Sequence, residues 1–502
     1  MSYPDDLTAP ARTALLIRGA CVYRADADGE VIPNGSVLAI DGTIAAVGPT
    51  ADVDARVAAL PEDLRLELTA IDGRGHMVLP GFVNDHWHEL FATRLAFRGA
   101  LRPARDRDDR AAFMALGGDL ATISSAFDSF ASMIERLEPD EALAIARYSL
   151  WTQLRSGVTT LADVGSVNRS EALIAAARDL GMRCMVTTWA SDAACPCDGS
   201  PLRITRPAEA VLERMEEVLR QCAKDDSGLI RGWPTAVYGT NMTDRLGTGL
   251  AELSERFDTP FASHIGALRH EVDVMRAHFG MTPVRRFANL GLVNDRLLAV
   301  HCAFADDEER RLLLDAGAHI SHSPAKYGAA GETTVTETRV IPALRRAGLP
   351  VSVSTDGAGL PIGGMAEAMR AAWQMHNELY GDPTTVLPTD ALAMATRIPA
   401  EGLRWDRQIG SLETGKQADL VLIPTNDWRY LLTSRPLEAF LALGGSQDVH
   451  TVIVAGQILV REGRATRVDE HQLEADYLEA LRDFSVRGLG IDTETVTAAI
   501  RR

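Results

Sequence analysis

Met77-Val-Leu-Pro-Gly-Phe-Val-Asn-Asp-His-Trp-His-Glu89 is the stretch on which the reading of this chain turns. Val78 to Val83 are mostly apolar, as in a strand buried on both faces of a parallel sheet. Successive side chains of a strand point to opposite faces, so His86 and His88 share one. Two imidazoles carried on one face to the exposed end of a buried strand make half of a metal site. An isolated His-x-His pair is equally consistent with two histidines alternating beside a loop, so the rest of the chain has to arbitrate.

Working outward from a first strand at 78–85, apolar runs recur near 158–164, 182–188, 234–238, 260–265, 298–302, 317–321 and 350–355. Amphipathic stretches such as Pro139 to Ser156 and Ala208 to Cys222 lie between most of them. Eight strands spaced by helices predict an α/β fold, a (β/α)8 TIM barrel, with a doubly wound sheet as the competitor. Barrels carry their chemistry at the C-terminal strand ends. Those ends hold His86 and His88, then His264 in Pro260-Phe-Ala-Ser-His264 and His301 in Leu297-Leu-Ala-Val-His301. They also hold His322 in Ala318-His-Ile-Ser-His322 and Asp356 in Val351-Ser-Val-Ser-Thr-Asp356. One histidine on an apolar strand is usually a core residue. Six polar residues at five strand ends are too costly to bury unless paired or metal-bound.

Shorter apolar runs separated by turns lie at Ala14 to Ile17, Ser36 to Ile40 and Ile44 to Val47, with Asp41-Gly42 as a hairpin signal. A second set spans Ala418 to Ile423, Val449 to Val454 and Ile458 to Val460, with Ala455-Gly456 at its turn. The two sets predict one small β-sandwich built from both chain ends, residues 1–74 and 407–465, around a barrel of residues 75–406. Residues 466–502 read as a helical tail, as in Glu470-His-Gln-Leu-Glu-Ala-Asp-Tyr-Leu-Glu-Ala-Leu481.

The 502 residues suffice for one large domain and a smaller one, and 46% hydrophobic with 24% charged residues is an ordinary globular composition. No run approaches 18 uninterrupted apolar residues, and the acidic start Met1-Ser-Tyr-Pro-Asp-Asp6 lacks the order of a signal peptide. A net charge of −18 without a basic stripe argues against nucleic acid and anionic membrane as partners. Six scattered cysteines form no disulfide framework, and Cys195-Pro-Cys197 has no second pair, so a reducing cytoplasm is expected.

With these motifs together, the sequence resembles the amidohydrolase superfamily, in particular its branch of triazine hydrolases and aromatic deaminases. The resemblance rests on Leu79-Pro-Gly-Phe-Val-Asn-Asp-His-Trp-His88, Ser156-Gly-Val-Thr-Thr-Leu-Ala-Asp163, Ala299-Val-His-Cys302, Ser321-His-Ser-Pro324, Ser354-Thr-Asp-Gly357 and the run Ile409 to Val421. Within that last run, Gly410 to Lys416 approaches a phosphate-binding loop, but Gln417 replaces its Ser/Thr. The resemblance implies one divalent metal held by His86, His88, His264 and Asp356, with zinc the first candidate and ferrous iron the second. Dinuclear relatives use a lysine at the end of strand four, and Trp233-Pro-Thr-Ala-Val-Tyr-Gly-Thr240 contains none. It further implies a metal-activated water, Asp356 as the group that takes and returns its proton, and His301 as an orienting or polarising residue. Asp163 is expected to bond backbone or a ligand histidine from behind rather than to react. A small-molecule substrate and a homo-oligomer, dimer or tetramer, are also implied.

One departure matters. Deaminases of this branch read His-x-x-Glu after strand five, and here the run is His264-Ile-Gly-Ala-Leu-Arg-His-Glu271. Ala267 stands at the position of the catalytic glutamate, which protonates the ring of an aromatic substrate. Losing a general acid typically costs about 10²–10⁴ in rate. An amide, urea or carbamate carbonyl needs no ring protonation, so hydrolysis of such a bond in an aromatic or planar molecule is expected, with deamination or dechlorination of an N-heterocycle as the alternative. Glu89 and His270 are the candidate substitutes for the missing acid. Trp87, Glu89, Arg98, His322 and Tyr327 are the expected substrate-binding residues, with Phe91, Tyr238, Trp373 and Lys326 near the same mouth.

Overall fold

The computed structural model describes residues 13–89, 120–166, 168–196, 200–330, 334–357, 364–431 and 433–500. The chain starts with five strands, β1 (Ala14–Tyr23), β2 (Val31–Ile40), β3 (Thr43–Pro49), β4 (Leu68–Asp72) and β5 (His76–Pro80). β1, β2 and β3 run antiparallel, and β4 and β5 lie parallel to β1. The expected hairpin at Asp41-Gly42 is present: Ile40 pairs with Thr43, and both turn residues have positive φ, 47° and 77°, which the twist of a two-residue hairpin requires.

The expectation of a single strand over 78–85 is corrected. After β5 the chain crosses at Gly81 and continues as β6 (Phe82–Trp87) in a different sheet. The Gly81 N–H donates to Asp419 O at 2.9 Å, and a Cβ at this position would lie 2.1 Å from Thr159 Oγ1, so the crossing has room for no side chain. The apolar run reads as one strand because it is buried throughout, but its two halves serve different cores.

β6 pairs in parallel with β7 (Val158–Asp163), β7 with β8 (Arg183–Val186), and β8 with β11 (Ile230–Gly232). A short ribbon, β9 (Ala193–Ala194) and β10 (Arg203–Ile204), stands apart. A second all-parallel sheet has the order β12 (Thr235–Tyr238), β13 (Phe261–Ile265), β14 (Leu297–His301), β15 (His319–His322) and β16 (Val351–Val353). The strand expected near 234–238 is β12; only Trp233 and Pro234 separate it from β11, a strand of the first parallel sheet that was not expected. The far edges also meet. The Asp356 N–H donates to His86 O at 3.2 Å, the Thr355 N–H to Asn84 Oδ1 at 3.2 Å, and Asn84 Nδ2 to Thr355 Oγ1 at 2.7 Å. Between the sheets, Val83, Ala162, Met185, Ala262, Leu298 and Val300 share one apolar cluster.

Helices connect these strands for legible reasons. Ala208–Cys222 buries Val211, Met215, Val218, Leu219 and Cys222, the i, i+4, i+7, i+8 spacing of one helical face. Pro139–Arg155 has proline at its first turn, and the Glu141 side chain caps the Glu138 N–H at 2.9 Å. The tail helix Glu470–Arg487 lies along this helix, with Tyr148 and Tyr477 stacked at 4.5 Å.

β17 (Leu420–Pro424), β18 (Thr451–Val454), β19 (Gln457–Arg461) and β20 (Arg464–Ala465) return to the first sheet, which has nine strands drawn from both ends of the chain. Asp419 pins it to the parallel strands. Its carboxylate takes Arg183 Nε at 2.7 Å, Arg183 Nη2 at 3.2 Å and the Ala455 N–H at 2.8 Å, with both charged side chains 3% exposed. Removing one partner strands a buried charge, so Asp419→Ala should lower unfolding stability by about 3–5 kcal/mol, measured by denaturant titration. A loss below about 1 kcal/mol would mean the joint is not under load.

Candidate metal centre

His86 lies one residue before the end of β6, and the period of the strand brings His88 round beside it. Their Nε2 atoms are 2.9 Å apart, and His88 Nε2 lies 3.0 Å from His264 Nε2 on β13. Asp356 Oδ1 lies 3.7 Å from His86 Nε2 and 4.0 Å from His88 Nε2. Its Oδ2 lies 3.6 Å from His301 Nε2, at the end of β14. The structure therefore brings together all five residues expected to bind metal or act in catalysis, and buries each.

The ring orientations are set from behind. His88 Nδ1 lies 2.8 Å from Gly165 O and His264 Nδ1 lies 2.6 Å from Val237 O. A carbonyl only accepts, so each Nδ1 donates and each neutral ring turns a lone pair inward at Nε2. Burial holds His86 and His88 below the ordinary imidazole range and pushes His264 down to about 3. Two Nε2 acceptors facing each other at 3.0 Å repel, and a cation between them removes the repulsion. That donor set, three imidazoles and a carboxylate, fits a divalent metal. Burial raises the Asp356 carboxyl, but Lys326, with Nζ 3.3 Å from Oδ2, and the His86, His301 and His88 rings together outweigh it and hold the group well below the usual carboxylate range.

The backbone here is strained. His301, Cys302 and Asp356 have φ of 70°, 54° and 59°, left-handed values that cost non-glycine residues about 1–3 kcal/mol each. The Cys302 N–H to Ile265 O bond at 3.0 Å and the Asp356 N–H to His86 O bond help hold them. Behind His86, hydroxyls run from Ser323, 3.4 Å from His86 Nδ1, to Ser354 at 2.9 Å, Ser321 at 2.9 Å and Asp85 at 2.7 Å. Asp163 accepts from the Gly165 N–H at 3.0 Å, and so shapes the loop whose carbonyl orients His88. This is the supporting role expected of it.

The substrate-binding expectations divide. Tyr327 is buried edge-on to His301 at 4.8 Å, and Tyr238 stacks on His264 at 4.6 Å. Trp87 does not reach the cluster, because strand alternation turns it into the main apolar core. Glu89 is buried against Asn168, 2.6 Å away; burial raises its carboxyl to about 7 against hydrogen bonds from Ser149 and Asn168. His322 faces His376 with ring centroids 5.6 Å apart, away from the cluster. Trp373 packs partly buried against the main core, in a surface groove with Asn377 and Pro383. Arg98 and Phe91 lie outside the described residues. Phe127, Phe130 and Trp189 extend the aromatic wall behind Tyr238, with Phe127 stacked on it at 5.5 Å. The i, i+3 spacing of Phe127 and Phe130 was their only signal in the sequence.

Neither substitute for the missing acid is grouped with the imidazoles among the described residues. His270 is exposed, and Ala267 is buried with its N–H 2.7 Å from Glu271 Oε2. Glu271 thus ties down the loop after β13, accepting from the backbone of 266, 267 and 268. Lys416, in the near phosphate-loop motif, bonds Ser411 Oγ at 2.6 Å within its own turn.

Neutral imidazoles and a carboxylate converging at the ends of parallel strands define a hydrolase-type metal centre. The amidohydrolase family model matches residues 77–459, and the chain belongs to that family, whose members hydrolyse carbon–nitrogen bonds. It is 28% identical to a 5-methylthioadenosine/S-adenosylhomocysteine deaminase of Pelotomaculum thermopropionicum, over 92% of this chain and 96% of the relative. It is 28% identical to a 5'-deoxyadenosine deaminase of Methanothermobacter thermautotrophicus, over 91% and 95%. Among solved structures, an adenosine deaminase from Xanthomonas campestris with bound zinc aligns at TM-score 0.76 and 23% identity, covering 95% and 99% of the two chains. A triazine hydrolase from Arthrobacter aurescens aligns at 0.78 and 24%, covering 93% and 99%.

Two outcomes follow. His264→Ala should fold and purify without the metal that the wild type retains, as read by elemental analysis. Glu271, raised to about 7 by burial, is the second. A carboxyl with its folded pKa raised from 4.5 stabilises fully below about pH 4.5 and loses that contribution as pH rises through 7. Glu271→Gln should flatten the fall in stability between about pH 4.5 and 7, by up to about 3 kcal/mol. An unchanged slope would mean the carboxyl titrates normally.

Proposed function

We propose that this protein hydrolyses an amide, urea or carbamate C–N bond of a small planar molecule at a site holding one divalent metal, zinc first and iron second. The observation that carries the reading is that no second carboxylate meets the imidazoles among the described residues. Ala267 fills the glutamate position, Glu271 is spent on backbone, and Asp356 is the one carboxylate in contact with the imidazoles among the described residues. The bound metal would supply a Lewis acid and a water made nucleophilic near neutral pH. Asp356 Oδ1 faces His86 and His88, and Asp356 Oδ2, between His301 and Lys326, takes the water's proton and returns it to the departing nitrogen. His301 Nε2, on the Oδ2 side, polarises the substrate carbonyl.

The two parallel sheets are read as one eight-stranded barrel, supported by the bonds from Asp356 and Thr355 to β6 and by the short break between β11 and β12. The nine-stranded sheet is read as the composite domain made from both chain ends. A homo-oligomer is supported by Trp428 and Leu431, exposed on one turn. A cytoplasmic setting is supported by the five described cysteines, all free.

The second reading, deamination of an adenosine-like nucleoside, is favoured by the names of the curated relatives. Ammonia release from 5'-deoxyadenosine and S-adenosylhomocysteine, set against amine release from anilides and ureas, decides between the two. The proposal expects turnover only in the second set, and rapid ammonia from the nucleosides would overturn it. Ala267→Glu should bring no gain with the native substrate, whereas a gain approaching 10²-fold would mark a deaminase that has lost its acid.

A further inference from the structure

Four aromatic rings follow one another behind the donor set. His88 and His264 stack with centroids 4.9 Å apart and planes 18° from parallel. Tyr238 stacks on His264 at 4.6 Å and 16°. Phe127 stacks on Tyr238 at 5.5 Å and 16°. The four come from four places in the fold: His88 follows β6, His264 lies on β13, Tyr238 ends β12, and Phe127 lies on the helix Leu120–Glu135. Ring by ring, the donor set is joined to a helix that supplies none of the four expected ligands.

That helix is fastened on the side that carries Phe127. Ser124, Phe127 and Asp128 share one helical face at i, i+3 and i+4. The Cys195 N–H donates to Ser124 Oγ at 2.9 Å, and Asn241 Nδ2 donates to Ser124 O at 2.8 Å. Asp128 Oδ1 accepts from Thr205 Oγ1 at 2.7 Å, from Arg206 Nη1 at 2.8 Å and from Ser191 Oγ at 3.1 Å. Trp189 Nε1 donates to Phe127 O at 2.9 Å, and the Trp189 ring stands edge-on to the Phe127 ring at 5.9 Å. Together these contacts fix where Phe127 meets Tyr238.

The bond from His264 Nδ1 to Val237 O pins one corner of the imidazole and leaves its tilt open. The Nε2 lone pair lies in the ring plane, so the tilt decides where it points. A ring stacked on the imidazole settles that tilt. The stack also responds to charge. A cation on Nε2 draws electrons from the imidazole, and the electron-rich face of a phenol attracts an electron-poor ring. The contact between Tyr238 and His264 is therefore stronger with metal bound than without. By linkage, the stack raises metal affinity by the same factor by which the metal tightens the stack.

We propose that Tyr238 and Phe127 are positioning residues of the metal centre: they hold the His264 imidazole at the tilt its ion requires, and they couple metal binding to the docking of the helix Leu120–Glu135. The inference rests on the reading of the site as a metal centre and is independent of which bond is hydrolysed.

The test uses the full chain freed of metal by chelation, with zinc itself as the probe. Zinc affinity is read by competition with a chromophoric chelator, and docking by hydrogen exchange across residues 120–135 with and without zinc. One aromatic pair changes an equilibrium constant roughly 2- to 10-fold, and Tyr238→Leu should weaken zinc binding by about that factor. Phe127→Leu should weaken it in the same direction by about twofold or more. Phe127 is only half-buried, so that variant carries the test if Tyr238→Leu does not fold. Tyr238→Phe and Phe127→Tyr keep the ring faces and should stay within about twofold of the wild type. In the wild type zinc should slow exchange in the helix, and in Tyr238→Leu that effect should disappear. A purely structural packing role would lower thermal stability with and without zinc alike and leave the zinc affinity unmoved.

Full zinc affinity in both leucine variants would overturn the proposal. An equal loss in Tyr238→Phe and Tyr238→Leu would also overturn it, because the hydroxyl and not the ring face would then carry the effect. Helix exchange that ignores zinc in the wild type would overturn the coupling. A wild-type chain that binds no zinc would remove the metal reading together with this inference, whereas failure of the variants alone would leave that reading standing.

Discussion

The arrangement turns on the inward-facing Nε2 lone pairs of His88 and His264, set by the carbonyls behind the rings. His88 and His264 spend their ring N–H groups on Gly165 O and Val237 O, and so present Nε2 acceptors to each other at 3.0 Å. His86 Nε2 closes on the same point at 2.9 Å. Nitrogens converging at that spacing suit a cation between them. The strained backbone at His301 and Asp356, the hydroxyl chain behind His86 and the loop shaped by Asp163 all hold side chains where that cation requires them.

The fold supplies the convergence. Parallel strands deliver their ends to one side, and alternation places one residue in two on the inner face. The contacts between β16 and β6 bring Asp356 to His86, residues 270 positions apart in sequence. Gly81 makes this economical, because a single residue lets the chain leave the nine-stranded sheet and enter the parallel one. The buried Arg183–Asp419 pair fastens the two sheets a short distance away.

The strand-end histidines were legible in the sequence because a period of two leaves no choice about which side chains share a face. The Asp41-Gly42 hairpin was legible because its turn requires positive φ. What stayed hidden depends on contacts between distant segments. The split of 78–85 was masked by burial on both sides of Gly81. Trp87 looked like a pocket residue because it stands between two ligands, yet that position turns it to the core. His322 shares the strand-end pattern, but its ring meets His376 on the helix Met365–Tyr380. The stacking of Phe127 on Tyr238 joins residues 111 positions apart, and the approach of Lys326 to Asp356 needs both to be placed by the fold.

Family membership fixes the type of chemistry, and the residues around the donor set decide which bond it breaks. All of this presupposes one metal ion at the four ligands. Anomalous scattering from a crystal of the protein as purified, collected across the zinc and iron edges, tests that most directly. The account predicts a single peak about 2.0–2.2 Å from the Nε2 atoms of His86, His88 and His264 and from one oxygen of Asp356. No peak there, or two peaks bridged by a shared ligand, would contradict it.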